Sequence, residues 1–296
     1  MKPKTGQAVL KSANMQGAAL MTVSMAAFTV NDTFFKLLGD HLPFFQVLFL
    51  RSVGVMVLMV GLAYRMGAVH LPTSRPDRWL IAFRTLAEVA AAYFFLTALV
   101  HLPIANVTAI IMALPLTVTL GAALFLGEPV GWRRLLAIAI GLFGVLLILR
   151  PGGADFTIYS VYAVLAVLFV TVRDLSVRRI SAEVPSLTVA LAAVIGILGF
   201  SAVGAVSSDW SPMAPRDIFW LIGSMVFILG GYLFSVMAMR FGEVAFVTPF
   251  RYSGLMVALL IGLLVFDDWP DGLTLLGAAI VVLTGLFTFW REQHAN

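Results

Sequence analysis

The stretch PIANVTAIIMALPLTVTLGAALFL, residues 103–126, contains no charged side chain. About 20 apolar residues in a helix are enough to cross the hydrocarbon core of a bilayer. The rest of the chain is similar, because 61% of its 296 residues are apolar, 11% are charged and the mean hydropathy is +1.00. Ordinary soluble domains contain about 25% charged residues. The sequence therefore predicts an integral membrane protein.

Further apolar segments, separated by charged residues, prolines or glycines, bring the predicted number of membrane helices to ten. The segments are residues 17–38, 43–64, 79–100, 103–126, 133–150, 157–180, 185–206, 217–240, 243–266 and 273–290. They are long and continuous, unlike the short alternating strands of outer-membrane barrels. The predicted fold class is an all-α integral membrane protein with ten transmembrane helices.

Several function classes conflict with this composition. Ten spans of about 20 residues leave no room for a separate ATP-hydrolysing domain, and no P-loop motif is present. The chain has no cysteine, and its four histidines form no cluster with metal-ligand spacing. We therefore expect no metal, no cofactor and no enzymatic activity. The net charge is +4. The cations lie in short loops between spans, where they indicate the orientation of the helices in the membrane and not nucleic-acid binding.

The loop charges predict that both termini are cytoplasmic. With that orientation the outside loops hold Arg150 and Arg216, while most other loop and tail cations are inside. The inside group is Lys2, Lys4, Lys11, Arg65, Arg75, Arg78, Arg133, Arg134, Arg178, Arg179, Arg240 and Arg291. The expected location is the inner (plasma) membrane of a bacterial-type cell.

The two halves of the chain resemble each other at an offset of about 140 residues. The matches are Asn31-Asp32 with Arg173-Asp174, Tyr93-Phe94-Phe95 with Tyr232-Leu233-Phe234, Val107-Thr108 with Val247-Thr248, and Pro129 with Pro270. They predict two five-helix repeats, residues 1–150 and 151–296. Because five is an odd number, the second repeat would insert upside down, an arrangement found in transporters.

Ionisable residues within the predicted spans are the main candidates for function, because a charge inside a bilayer requires a partner or a watery cavity. Arg51, Glu88 and Arg251 lie near the middle of predicted helices. Asp32 and its repeat mate Asp174 lie near opposite faces of the membrane, as two gates would. Glu88 is the candidate proton carrier, should transport be coupled to protons.

Local pairs give these charges a structural alternative. Asp32 with Lys36, and Glu88 with Arg84, are spaced four residues apart and would share a helix face. Arg51 could compensate a carboxylate of another helix. The gating or structural charges are thus Lys36, Arg51, Arg84 and Asp174.

Uncharged residues complete the predicted substrate site. Thr248, Arg251 and Tyr252 would share one face of the ninth helix and suit a carboxylate. Pro115 and Pro249 could kink their helices and free backbone carbonyls beside a cavity. The full predicted substrate-binding set is Asp32, Glu88, Tyr93, Met112, Tyr232, Thr248, Arg251 and Tyr252.

The turn Gly127-Glu128-Pro129 before Trp132-Arg133, and the run from Gly144 to Ile148 before Arg150-Pro151-Gly152, resemble the EamA family of the drug/metabolite transporter superfamily. The resemblance covers nearly the whole chain, although the second half has Asp267-Asp268-Trp269-Pro270 in place of the Gly-Glu-Pro turn. It implies a central cavity, alternating access and transport of amino acids or other small metabolites, either proton-linked or facilitative.

The predicted function is a secondary transporter that exports or exchanges small metabolites, most simply amino acids. Arg251 would bind the carboxylate, Asp32 or Glu88 the ammonium, and the tyrosines with Met112 the side chain. One alternative keeps the fold and carries lipophilic cations or drugs, which would make little use of Arg251. A second alternative, from another class, is a non-transporting membrane subunit or an intramembrane enzyme.

Overall fold

The computed structural model describes residues 4–66, 74–153, 156–181, 183–241 and 243–293. This part of the chain is helical and holds no β-strand, so the predicted all-α class is confirmed. Its elements are α1 (Lys4–Gly39), α2 (Phe44–Met66), α3 (Arg75–His101), α4 (Ile104–Ile111), α5 (Leu114–Leu126), α6 (Trp132–Leu149), α7 (Ile158–Val177), α8 (Ser186–Val206), α9 (Pro215–Phe241), α10 (Val244–Val247), a 3-10 helix (Thr248–Tyr252), α11 (Ser253–Phe266) and α12 (Gly272–Gln293).

Within the described ranges, ten segments are long and apolar enough to cross a membrane, as predicted. They are Ala13–Gly39, Phe44–Gly61, Arg75–His101, Ile104–Leu126, Trp132–Leu149, Ile158–Val177, Leu187–Val206, Pro215–Phe241, Thr248–Phe266 and Gly272–Arg291. The third begins before its predicted start at residue 79, because a polar first turn precedes the apolar run. There the Ser74 hydroxyl accepts a hydrogen bond from the backbone N–H of Asp77.

The fourth and ninth spans are broken, as their prolines predicted. α4 ends at Ile111 and α5 begins at Leu114, with Pro115 in its first turn. In the ninth span the helix tightens to a 3-10 turn that contains Pro249 before α11 begins. Proline has no N–H for the helical ladder, so each break follows from its sequence.

The spans pack in pairs that join the two halves of the chain. α1 packs extensively on α9, and α3 on α7; we call these pairs the first arm (α1 and α9) and the second arm (α3 and α7). α6 packs along α12, and α2 along α8. Each pair unites one helix from the first half with one from the second, so neither half folds around its own core.

Glycines bring α6 and α12 into backbone contact. A Cβ added to Gly277 would lie 2.5 Å from the carbonyl oxygen of Gly144, and one added to Gly144 would lie 2.9 Å from the carbonyl oxygen of Gly277. Such distances are too short for any side chain. Close approach through small residues is a common way for membrane helices to gain packing energy.

The αL turns after α5 and α11 explain how the second half keeps the geometry of a Gly-Glu-Pro turn without its glycine. Gly127 has φ 69° and Asp267 has φ 51°, and the backbone N–H of each cap bonds a carbonyl five residues earlier, Ala122 or Gly262. Aspartate is among the residues that tolerate this conformation. The sequence difference therefore leaves the helix ending unchanged.

We predict that Gly277→Val lowers the free energy of unfolding by about 2 kcal/mol, because its side chain would force α6 and α12 apart. Thermal unfolding of the purified protein in detergent measures this. Gly61→Ala is the matched control, since an added Cβ there meets nothing within 4 Å. Equal stability of Gly277→Val and the native chain would contradict the backbone contact.

At the helix caps we expect Gly127→Ala to destabilise the protein by about 1 kcal/mol, because alanine is strained in the αL region. Asp267→Gly relieves the same strain and should leave the protein at least as stable as before. The two unfolding midpoints, measured side by side, check the opposite signs. A loss of stability in both variants would show that the side chain of Asp267 matters more than its backbone conformation.

Candidate functional site

A cluster of charged side chains links the two helices of the second arm. Glu88 of α3 contacts two guanidinium groups: Arg84 Nη2 lies 3.2 Å from Glu88 Oε2, and Arg173 Nη1 lies 3.0 Å from Glu88 Oε1. Arg173 Nε also donates to Asp174 Oδ1 at 2.8 Å. We call Arg84, Glu88, Arg173 and Asp174 the central cluster.

Local spacing and arm packing together build this cluster. Arg84 and Glu88 share a face of α3 because they are four residues apart, so the predicted local pair is present. Arg173 reaches them because α7 packs along α3. The exposed side-chain fraction is 13% for Glu88 and 41% for Asp174. Asp174 is therefore the more accessible carboxylate, whereas each carboxylate oxygen of Glu88 contacts an arginine.

The substrate-site prediction omitted Arg173. A signal was present, since Arg173 interrupts the apolar run of α7 and aligns with Asn31 in the repeat comparison. An ionisable residue inside a span is a functional-site candidate by default.

Tyr232 and Arg251 interact electrostatically with members of the central cluster. Tyr232 of α9 is 55% exposed, contacts the Phe28 ring edge-on at 5.2 Å, and lies in the electrostatic field of Glu88 and Arg173. Arg251 lies in the 3-10 turn and interacts electrostatically with Asp174. In the described part of the chain no hydrogen bond or ion pair contacts its guanidinium.

Arg251 and Thr248 lie together in the 3-10 turn of the ninth span. This turn connects α10, which ends at Val247, with α11, which begins at Ser253. The position of Arg251 near the middle of the membrane remains a prediction.

Asp32 and Arg51 form a second polar group, on α1 and α2. Arg51 is 7% exposed, lies over the Phe35 ring at 5.4 Å, and interacts electrostatically with Asp32. Asp32 accepts a hydrogen bond from Asn31, whose own side-chain oxygen accepts one from Ser224 of α9. This arrangement ties α1 to α2 and α9, in line with a structural role for Arg51.

Lys36 does not pair with Asp32, although their spacing permits it. Its ammonium donates to the backbone carbonyls of Leu99, Val100 and Leu102 at 2.8, 3.0 and 2.8 Å. These carbonyls belong to the end of α3. The local pair is therefore replaced by a contact between helices.

Three predicted substrate residues lie away from the central cluster. Tyr93 follows Glu88 by five residues, about 140° around α3, and packs among Phe44, Phe200 and other rings. It borders two cavities of about 450 and 330 Å³. Met112 packs against the core near Gly254, and the buried Tyr252 hydroxyl points at Gly285 of α12 without a hydrogen-bond partner.

The two ends of the bundle differ in their buried apolar packing. At the distal end, where α1 ends and α2 begins, a single buried cluster joins both arms. It comprises Phe35, Leu38, Leu42, Val47, Leu48, Leu96, Leu99, Ile104 and Leu221. At the opposite, proximal end the buried cluster of the described chain is Met21, Ala238 and Val247, which includes no residue of α3 or α7. Of these two clusters, the distal one contains residues of both arms, and the proximal one contains residues of the first arm but not of the second.

The proximal end has polar contacts of a different kind. Asn14 of α1 bonds Glu243 before α10, Arg178 after α7 pairs with Glu128 after α5, and the Asp77 carboxylate accepts from the Ser181 backbone. Each joins an arm helix to a segment that flanks or packs beside the same arm.

Comparisons with known proteins agree with this architecture. Residues 15–150 match the EamA-like transporter family. The chain is 26% identical to an S-adenosylmethionine uptake transporter of Rickettsia conorii, over 95% of each chain, and 29% identical to a riboflavin transporter of Vibrio cholerae, over 97% of each. It is 27% identical to the pseudopaline exporter CntI of Pseudomonas aeruginosa, covering 90% of this chain and 93% of the exporter.

A solved crystal structure superposes with a TM-score of 0.63 and 16% sequence identity, covering 96% of this chain and 98% of the other. The shared fold therefore extends beyond the part matched by the family model. The resemblance inferred from sequence is confirmed: the first half of the chain matches the EamA-like transporter family, and the chain is a multi-pass membrane protein similar to transporters over nearly its whole length.

Proposed function

We propose that this protein is a secondary carrier that moves small metabolites of the amino-acid class across the inner membrane by alternating access. Relatives named as transporters of S-adenosylmethionine, riboflavin and pseudopaline support a small-metabolite carrier. S-Adenosylmethionine itself carries an amino-acid group. The substrate class is argued from the charges of the site.

The observation that carries this proposal is that Asp174 and Arg251 interact electrostatically without an ion pair between them in the described part of the chain. Together they offer a carboxylate and a guanidinium to a substrate. A zwitterion placed there would give its ammonium to Asp174 and its carboxylate to Arg251. Charge-assisted hydrogen bonds of this kind are strong and directional. Tyr232 would contact the substrate side chain.

The balance of charges favours a carboxylate over a cation. The three guanidinium groups are Arg84, Arg173 and Arg251, and the two carboxylates are Glu88 and Asp174, which leaves one positive charge. A zwitterion leaves that surplus unchanged and brings a carboxylate to the guanidinium groups, whereas a lipophilic cation increases the surplus. The site therefore supports amino-acid transport over cation efflux.

The pairing of helices supports two inverted repeats, residues 1–150 and 151–296. The spans are numbered one to ten in chain order, and the inverted repeat relates each span to the one five places away. The first arm consists of spans one and eight, which this relation maps onto spans six and three, the two spans of the second arm. The same operation maps span two onto seven and span five onto ten, and these pairs also pack together. Such symmetry lets the two arms exchange their environments when the carrier changes conformation.

We place the proximal end, and both termini, in the cytoplasm because the loop cations concentrate on that side. The buried cluster at the distal end joins both arms, which supports a site that opens toward the proximal, cytoplasmic end. Substrate then loads from the cytoplasm and leaves outside, which is export. Without an ATP-binding motif, net movement follows the gradients of the substrate and of any coupled proton.

The direct test is counterflow in liposomes reconstituted with the purified protein and a panel of labelled amino acids, cations and nucleosides. We expect saturable amino-acid exchange that falls at least about tenfold in Arg251→Ala and Asp174→Asn. Arg216→Ala is the matched control, because that arginine is 67% exposed and lies at the distal start of α9. Cation exchange indifferent to Arg251 would replace the proposal with drug efflux, and no exchange by folded protein would refute transport of the panel.

A second test uses the charge balance. Glu88→Gln removes one carboxylate and raises the surplus of the cluster by one positive charge, so the ratio of aspartate to leucine exchange should increase about threefold or more. Comparing the two substrates within one preparation removes differences in protein amount. An unchanged ratio would show that the substrate does not sense the central cluster. The pH profile of the same variant reports whether Glu88 carries a coupling proton, in which case pH-driven uptake is lost while exchange persists.

A further inference from the structure

The ammonium of Lys36 is fully engaged at the distal end of the bundle. Its three hydrogens match three backbone carbonyls, those of Leu99, Val100 and Leu102, at 2.8, 3.0 and 2.8 Å. The residue is 9% exposed, and its Nζ lies 5.5 Å from the centre of the Phe266 ring. The contact is therefore shielded from bulk water.

The end of α3 is a suitable binding site for a cation. The last carbonyls of a helix have no partner within the helix, and the helix dipole gives this end a partial negative charge. Asp40 and Asp268 add further negative charge near Lys36. A buried ammonium placed here is compensated without any direct carboxylate contact.

This contact joins the two arms. Lys36 belongs to α1, in the first arm, and the three carbonyls belong to the end of α3, in the second arm. It lies at the end where the buried cluster around Phe35 and Leu99 also bridges the arms. Opening the distal end would separate α1 from α3 and would break the three hydrogen bonds together.

We propose that Lys36 is the clamp that holds the distal end closed, and that Arg178 forms the equivalent clamp on the end of α9 when the proximal end closes. This rests on the alternating-access part of the proposed function. The two clamps would exclude each other, because each belongs to one of the two conformations.

The repeat relation identifies Arg178. Arg178 follows Asp174 by four residues, as Lys36 follows Asp32. The repeat relates α7 to α1 and α9 to α3, so the equivalent of a contact between Lys36 and α3 is a contact between Arg178 and α9. α9 ends at Phe241, so its last carbonyls offer the same kind of acceptor. Arg178 is 46% exposed and pairs with the side chain of Glu128, a contact between exposed groups that can be exchanged at little cost.

The absence of cysteine from the chain allows a test by accessibility. Ser235 lies three residues after Tyr232 on the same side of α9, so Ser235→Cys serves as a reporter beside the proposed substrate site. A membrane-impermeant maleimide is added to one side of vesicles that contain the protein. Ser207→Cys, exposed after α8, marks the distal surface in parallel.

We expect Lys36→Gln to raise the distal labelling rate of the reporter at least about tenfold and to lower the proximal rate. Adding Arg178→Gln to Lys36→Gln should bring the distal rate back toward the native value, because the second conformation loses its own clamp. Thermal unfolding of each variant verifies that it is folded.

Unchanged labelling in folded Lys36→Gln would overturn the clamp, and a double variant that labels like Lys36→Gln alone would overturn the role of Arg178. If Lys36→Gln does not fold, the single variant Arg178→Gln tests the proposal. We then expect slower substrate exchange than in the native protein, with the proximal labelling rate of the reporter retained. An exchange rate equal to that of the native protein would contradict the proposal. Labelling needs no substrate, so failure here is separate from failure of the amino-acid assay.

Discussion

A charge inside a membrane must be compensated locally, and this constraint organises the whole bundle. Glu88 sits halfway along α3, where water is excluded unless the protein admits it. Two guanidinium groups, one from its own helix and one from α7, contact its carboxylate. Removing one member would leave a buried charge without its partner. The second arm is thus held together by the same groups that give the site its polarity.

The helices divide between scaffold and site. α6 and α12 approach so closely at Gly144 and Gly277 that no side chain fits between them, and they contribute no charge to the central cluster. The arms instead carry buried polar groups, among them Asn31 and Lys36 of α1 and Ser224 of α9. Close backbone packing therefore characterises one pair of helices, and polar contacts characterise the arms.

The sequence was most informative where the physics is local. Apolar length fixed the ten spans, and Pro115 and Pro249 marked both broken helices, because each proline removes a donor wherever the chain goes. The pair of Arg84 and Glu88 followed from helical spacing alone. The same rule was insufficient for Asp32 and Lys36, since the end of α3 offered Lys36 three carbonyl acceptors that spacing could not reveal.

By itself the sequence determined the membrane class, the spans, their breaks and the short set of intramembrane charges that need partners. Only the tertiary structure decided which partners they take. It joined Arg173 to Glu88, turned Tyr252 toward Gly285, and brought Arg251 into electrostatic interaction with Asp174. The reason is physical: composition and periodicity act along one helix, whereas the direction of a side chain toward a neighbour depends on how separate helices pack.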